Sequence, residues 1–82
     1  MAPFRVFEEG DQQHAVIALH GWLTQPVVGE LANVVAKRGI RARVDVSHLV
    51  GADHTGVVAL RLLRRAGFLL TGASPYIDLL IG

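Results

Sequence analysis

Residues 4–7 (FRVF) alternate weakly between apolar and polar side chains and are rich in strand formers. A polar break follows, made of Glu8, Glu9, Gly10, Asp11, Gln12 and Gln13. Residues 14–19 (HAVIAL) are a second short β-prone run. Two such runs around a Gly-containing polar loop predict an antiparallel hairpin. The chain is then expected to turn over residues 21–24. Thr24 suits a helix N-cap, and Pro26 suits the first turn, where an early N–H has no partner in any case. Val27, Val28, Leu31, Val34 and Val35 recur at helical spacing. Lys37 and Arg38 fall in the last turn, where cations complement the helix dipole, and Gly39 is placed to stop the helix.

Alternation returns over residues 40–49 (IRARVDVSHL), the next β region. A second helix is predicted over 55–66, with Gly67 as its stop. Val57, Val58, Leu60, Leu62 and Leu63 give it a wide apolar surface, as for packing on a sheet. Residues 68–71 read as a short strand. Ser74 and Pro75 read as the cap and first residue of a last helix over 76–81. The predicted order is β-β-α-β-α-β-α. A strand–helix–strand sequence implies right-handed parallel crossovers, and the hairpin adds an antiparallel strand. The expected fold class is α/β: a single small domain over 1–82, with a mixed four-stranded sheet flanked by helices.

Composition narrows the function classes. At 82 residues and 51% hydrophobic, the chain can fill one core and is not intrinsically disordered. A net charge of +1 gives no overall field for nucleic acid. Without cysteine there is neither a disulfide framework nor a thiolate metal site. The N-terminus lacks the apolar core of a signal peptide, and no apolar run is long enough to span a membrane. A cytoplasmic protein is the expectation.

The candidate chemistry concentrates in ADHTG, residues 52–56, at a strand-to-helix junction. Among the four histidines, His48 and His54 with Asp53 make the most plausible metal set, but the spacing matches no compact ligand motif. Thr55 as nucleophile with His54 as base lacks an orienting third group, and adjacent residues rarely face each other. Glycine-rich phosphate loops and GxSxG are absent from the sequence. No catalysis, metal or cofactor is therefore expected. Arg61, Arg64 and Arg65 share one helix face by their three- and four-residue spacing. With Arg41 and Arg43 they would make a basic patch for an acidic partner, against the plainer reading of a solvated face. Trp22 and Tyr76 are each a candidate interface anchor or a core edge. Thr55 at a helix start can cap the helix or accept a phosphoryl group, because helix N-termini favour negative charge. Local chemistry alone favours a cap, from Asp53 or from Thr55.

The order of short motifs resembles the STAS domain, the fold of bacterial anti-sigma factor antagonists. LHGWLT (19–24) and the GEL of residues 29–31 resemble the segment after the family's second strand. RVDVSHL (43–49) resembles its Val-x-Asp-Leu-Ser strand end. ADHTGVVALRLLRRA (52–66) resembles its Asp-Ser-Ser-Gly and apolar helix, and FLLTGASPYIDLLI (68–81) its Gly-x-Ser-Pro turn. The resemblance covers nearly the whole chain. It implies a non-catalytic protein-binding domain whose partner surface surrounds Asp53, His54, Thr55 and Gly56. It also implies Thr55 as the phosphoacceptor and Gly56 as the family glycine, which would let partner backbone approach the helix start. Trp22, Arg61, Arg64 and Arg65 are, on their local chemistry, further candidate interface residues.

Two functions follow from the resemblance. In the first, the chain binds an anti-sigma factor or a related serine/threonine kinase, and phosphorylation of Thr55 releases the complex. In the second, it is a constitutive STAS subunit docked on the ATPase of a lipid-trafficking ABC transporter. His54 stands where the family carries a small hydroxyl residue. The last helix ends at Gly82, so Leu79, Leu80 and Ile81 are expected to be exposed. Both features lean towards a constitutive partner, and the apolar end also towards a homodimer.

Overall fold

The computed structural model describes residues 3–11, 13–39 and 41–82. Its elements run β1 (Arg5–Glu9), β2 (Val16–Leu23), α1 (Gln25–Arg38), β3 (Arg43–Ala52), α2 (His54–Ala66), β4 (Leu69–Thr71) and α3 (Pro75–Ile81). This is the predicted β-β-α-β-α-β-α order. The strands form one four-stranded sheet in the order β1-β2-β3-β4. β1 and β2 are antiparallel, whereas β2–β3 and β3–β4 are parallel.

The sheet is covered on one face. Along β2, Ile17, Leu19 and Leu23 are fully buried, while Val16, His20 and Trp22 on the other face are half-buried. Leu31 of α1, Leu60 of α2, and Ile77 and Ile81 of α3 share one core with Ile17, Leu19, Val44 and Val46. The helices lie side by side over that core, α1 against α2 and α2 against α3.

Several ends differ from the pattern-based prediction. β1 extends through Glu8 and Glu9, which the sequence assigns to a polar break. β1 is an edge strand, where charged residues are tolerated. Glu8 registers with Ile17 and faces the helices, where its carboxylate meets Arg38 Nε at 2.8 Å and Lys37 Nζ at 3.5 Å. β2 does not turn at Gly21 but runs on to Leu23. Gly21 has φ 85° and pairs with Leu49, whereas Trp22 pairs with Gly51, so the extra residue lies in β3 and Gly21 continues β2 opposite that bulge. Trp22 is consequently a strand residue, and its ring lies over Gly51. A Cβ built on Gly51 would stand 2.6 Å from that ring. β3 runs three residues past the predicted end, to Ala52. Gln12 and Ile40, assigned to the polar break and to a strand start, lie outside the described residues.

The helix stops at Gly39 (φ 81°) and Gly67 (φ 107°) are as predicted. Ser74 caps α3 by accepting the Ile77 N–H at 3.2 Å. The start of α1 is different. Thr24 occupies the N-cap position, but its side chain makes no capping hydrogen bond.

Candidate functional site

The loop between β3 and α2 lies where the carboxyl ends of parallel strands meet helix starts. Asp53 is the α2 N-cap, and its Oδ1 accepts the Gly56 N–H at 2.8 Å. Its Oδ2 accepts the Gln25 N–H at 2.9 Å, at the first residue of α1. One carboxylate therefore caps two helices, and it supplies to α1 the acceptor that Thr24 does not. The Gly56 bond is the chief reason the Asp53 carboxyl lies below its ordinary pKa, followed by the Gln25 bond. The Asp53 N–H in turn donates to the Leu23 carbonyl at 3.1 Å.

Gly56 is buried, and a Cβ there would fall 2.2 Å from the Leu23 carbonyl oxygen. That space is filled by the protein's own β2, which corrects the expectation that Gly56 gives room to partner backbone. His54 and Thr55 are exposed in the first turn of α2. Capping belongs to Asp53, and the Thr55 side chain stands on the surface beside it.

The other expected sites are rearranged. Among the described residues no three acidic, histidine or cysteine side chains gather as a metal group, so His48, Asp53 and His54 do not form one. His48 instead lies beside His20. Arg61 Nη2 donates to the Leu80 carbonyl at 3.1 Å and its Nε to the Ile81 carbonyl at 3.3 Å. Arg64 Nη2 donates to the same Ile81 carbonyl at 3.0 Å. These two arginines satisfy the end of α3, where helix carbonyls lack partners. Arg65 is exposed. Arg43 registers with Val16, on the face of the sheet away from the helices, so it does not extend the α2 basic surface. Tyr76 and Leu79 are exposed, Leu79 at 82%. Ile81 is buried at 3% and Leu80 half-buried, contrary to the expected exposure of both. The reason is helical phase: Ile77 and Ile81 are four residues apart and face the core together. No described helix is long and apolar enough to cross a membrane.

The Asp53-to-Gln25 tie and the His20–His48 pair escaped sequence reasoning. Each joins residues far apart in the chain, and no local signal announces either.

Comparison with solved structures decides the fold. The anti-sigma factor antagonist SpoIIAA in its unphosphorylated form superposes with a TM-score of 0.66 over 93% of this chain and 78% of its own. The chain has the STAS fold. Identity to SpoIIAA is 18%. A second structural match is an uncharacterized DUF3478-family protein from Shewanella loihica PV-4, with a SpoIIAA-like fold. It matches with a TM-score of 0.51 and 19% identity, over 79% of this chain and 61% of its own. No protein-family model and no curated protein matches the sequence.

Proposed function

We propose that this chain is a non-catalytic, cytoplasmic protein-binding regulatory domain of the anti-sigma factor antagonist type, switched by phosphorylation of Thr55. The observation that carries this reading is the division of labour at the start of α2. Asp53 takes the cap, and Thr55 stands exposed next to it. A kinase would transfer the γ-phosphoryl group of ATP to Thr55 Oγ1, the hydroxyl proton passing to a base of the kinase. The modification adds about −1.5 to −2 charge. The helix N-terminus tolerates that charge, whereas a partner surface pressed over Asp53, His54 and Thr55 would suffer repulsion and desolvation. Unmodified, the domain binds an anti-sigma factor or related serine/threonine kinase; modified, it lets go.

The test mixes the protein with ATP and a serine/threonine kinase of the anti-sigma factor class, followed by mass spectrometry and binding measurement. The expected result is one phosphate on Thr55, none on a Thr55→Ala variant, and loss of binding by Thr55→Glu. An unmodified Thr55 together with full binding by Thr55→Glu would overturn the reading.

A second reading is favoured by Leu79 and Tyr76, which present apolar surface on α3 beyond the loop. It makes the chain a constitutive subunit on a transporter ATPase, with no phosphorylation cycle. Co-purification with such an ATPase, unchanged by Thr55→Ala, would support it.

A further inference from the structure

The face of the sheet away from the helices carries an aromatic row that the proposed switch does not use. Phe7 of β1 meets His20 of β2 edge-on, with ring centroids 4.7 Å apart and planes at 65°. His20 lies almost parallel to His48 of β3, with centroids 4.6 Å apart and planes at 10°.

A bulge creates this pair. Ala18 registers with Asp45, and the next pair on the same face is His20 with His48. β2 advances two residues between those pairs while β3 advances three. Regular pairing would have set Ser47 opposite His20. Bulges re-aim side chains in this way, often beside functional sites. The bulge is held by its own hydrogen bonds. Asp45 Oδ1 accepts the Ser47 N–H at 2.9 Å, and Ser47 Oγ lies 3.1 Å from His48 Nδ1. That contact occupies Nδ1 and leaves Nε2 for another partner. A hydrogen bond to one ring nitrogen commonly orients the other towards a metal.

We propose that His20 and His48 form a two-imidazole site for a divalent transition-metal ion of the copper, nickel or zinc class. Imidazole suits these ions. With metal–nitrogen bonds of about 2.0–2.1 Å at the right angle of a square-planar copper or nickel ion, two imidazole centroids fall about 4.5 Å apart. The observed separation of 4.6 Å lies close to that figure. The rings must pivot out of parallel so that both lone pairs converge, and the terminal torsion of histidine is broad enough to allow it. His48 is exposed and His20 half-buried, so the site is open to solvent. Asp45 adds negative charge nearby. Its carboxyl is held below the ordinary carboxylate range mainly by its hydrogen bonds with Ser47. The described residues offer no third ligand, which makes the site exchangeable and leaves coordination positions for water or a partner's side chain.

The test is titration of the full chain with Cu(II), and separately Zn(II), against a chromophoric chelator. One ion per chain is expected. Affinity should fall about tenfold or more in His48→Ala and His20→Ala, and stay unchanged in His14→Ala and His54→Ala. In the parent, the ions should raise the thermal midpoint, because they bind only the folded pairing of β2 and β3; in His48→Ala the rise should vanish. His48 is exposed, so this variant decides the matter even where His20→Ala fails to fold. Absence of saturable one-to-one binding, or parental affinity in His48→Ala, would overturn the proposal. Zn(II)-induced shifts of the His14 or His54 imidazole signals, with His20 and His48 unmoved, would overturn it equally.

Discussion

Asp53 is the residue on which the candidate site turns. Its two oxygens hold the first N–H of α1 and an early N–H of α2. The sequence makes Asp53 legible as a cap for the helix that follows it, because an acid before an apolar periodic run is a standard start signal. It could not reveal the second duty, since Gln25 precedes Asp53 by 28 positions and Thr24 looks like the natural cap of α1. The double bond has a pH consequence. The native pKa of Asp53 is lowered, so its contribution to stability is complete above the ordinary carboxylate range, near pH 4. That contribution fades as pH falls through the depressed native value. Asp53→Asn keeps one acceptor oxygen and loses the charge. Its urea midpoint should fall at pH 7, and the gap from the parent should narrow as the pH is taken below about 4. An equal gap at both pH values would refute the assigned role.

At the level of elements, the contact between α2 and the end of β2 sets the geometry of the loop. Gly56 permits it, because its missing side chain makes room for the Leu23 carbonyl. Helix propensity alone would favour alanine over glycine by about 1 kcal/mol. The steric conflict is with backbone, which cannot rotate aside, so Gly56→Ala should be destabilising by about 1–3 kcal/mol in chemical denaturation. A stabilised variant would show that α2 can lift off β2 freely. The order of the elements was plain from periodicity and from the glycine stops. Their ends were not. Gly21 reads locally as a turn, and only its pairing with β3 shows that it continues the strand, opposite a bulge in β3. Glu8 and Glu9 read as loop, and only the cations of α1 explain why a charged edge strand holds there.

For the molecule as a whole, helices cover one face of the sheet and leave the other to solvent. The sequence predicted helices beside a mixed sheet, but strand alternation alone does not say how many faces are covered. The apolar fraction of 51% suggested a full core or a sticky surface, and the structure contains some of each. Leu79, at 82% exposure, belongs to the surface. Leu79→Ser should shift stability by less than about 0.5 kcal/mol. Under the transporter reading it should weaken docking on the ATPase, whereas under the switch reading a kinase partner seated on the Thr55 loop should bind as before. A pull-down with each partner separates the two. The loop itself is anchored from three directions: by Leu23 through the Asp53 N–H, by Gln25 through the carboxylate, and by the close seat of Gly56. Under the proposed switch, a segment held so firmly would have little freedom to refold on phosphorylation of Thr55. Its message would be written in voltage rather than in shape: the same surface, presented with a different sign.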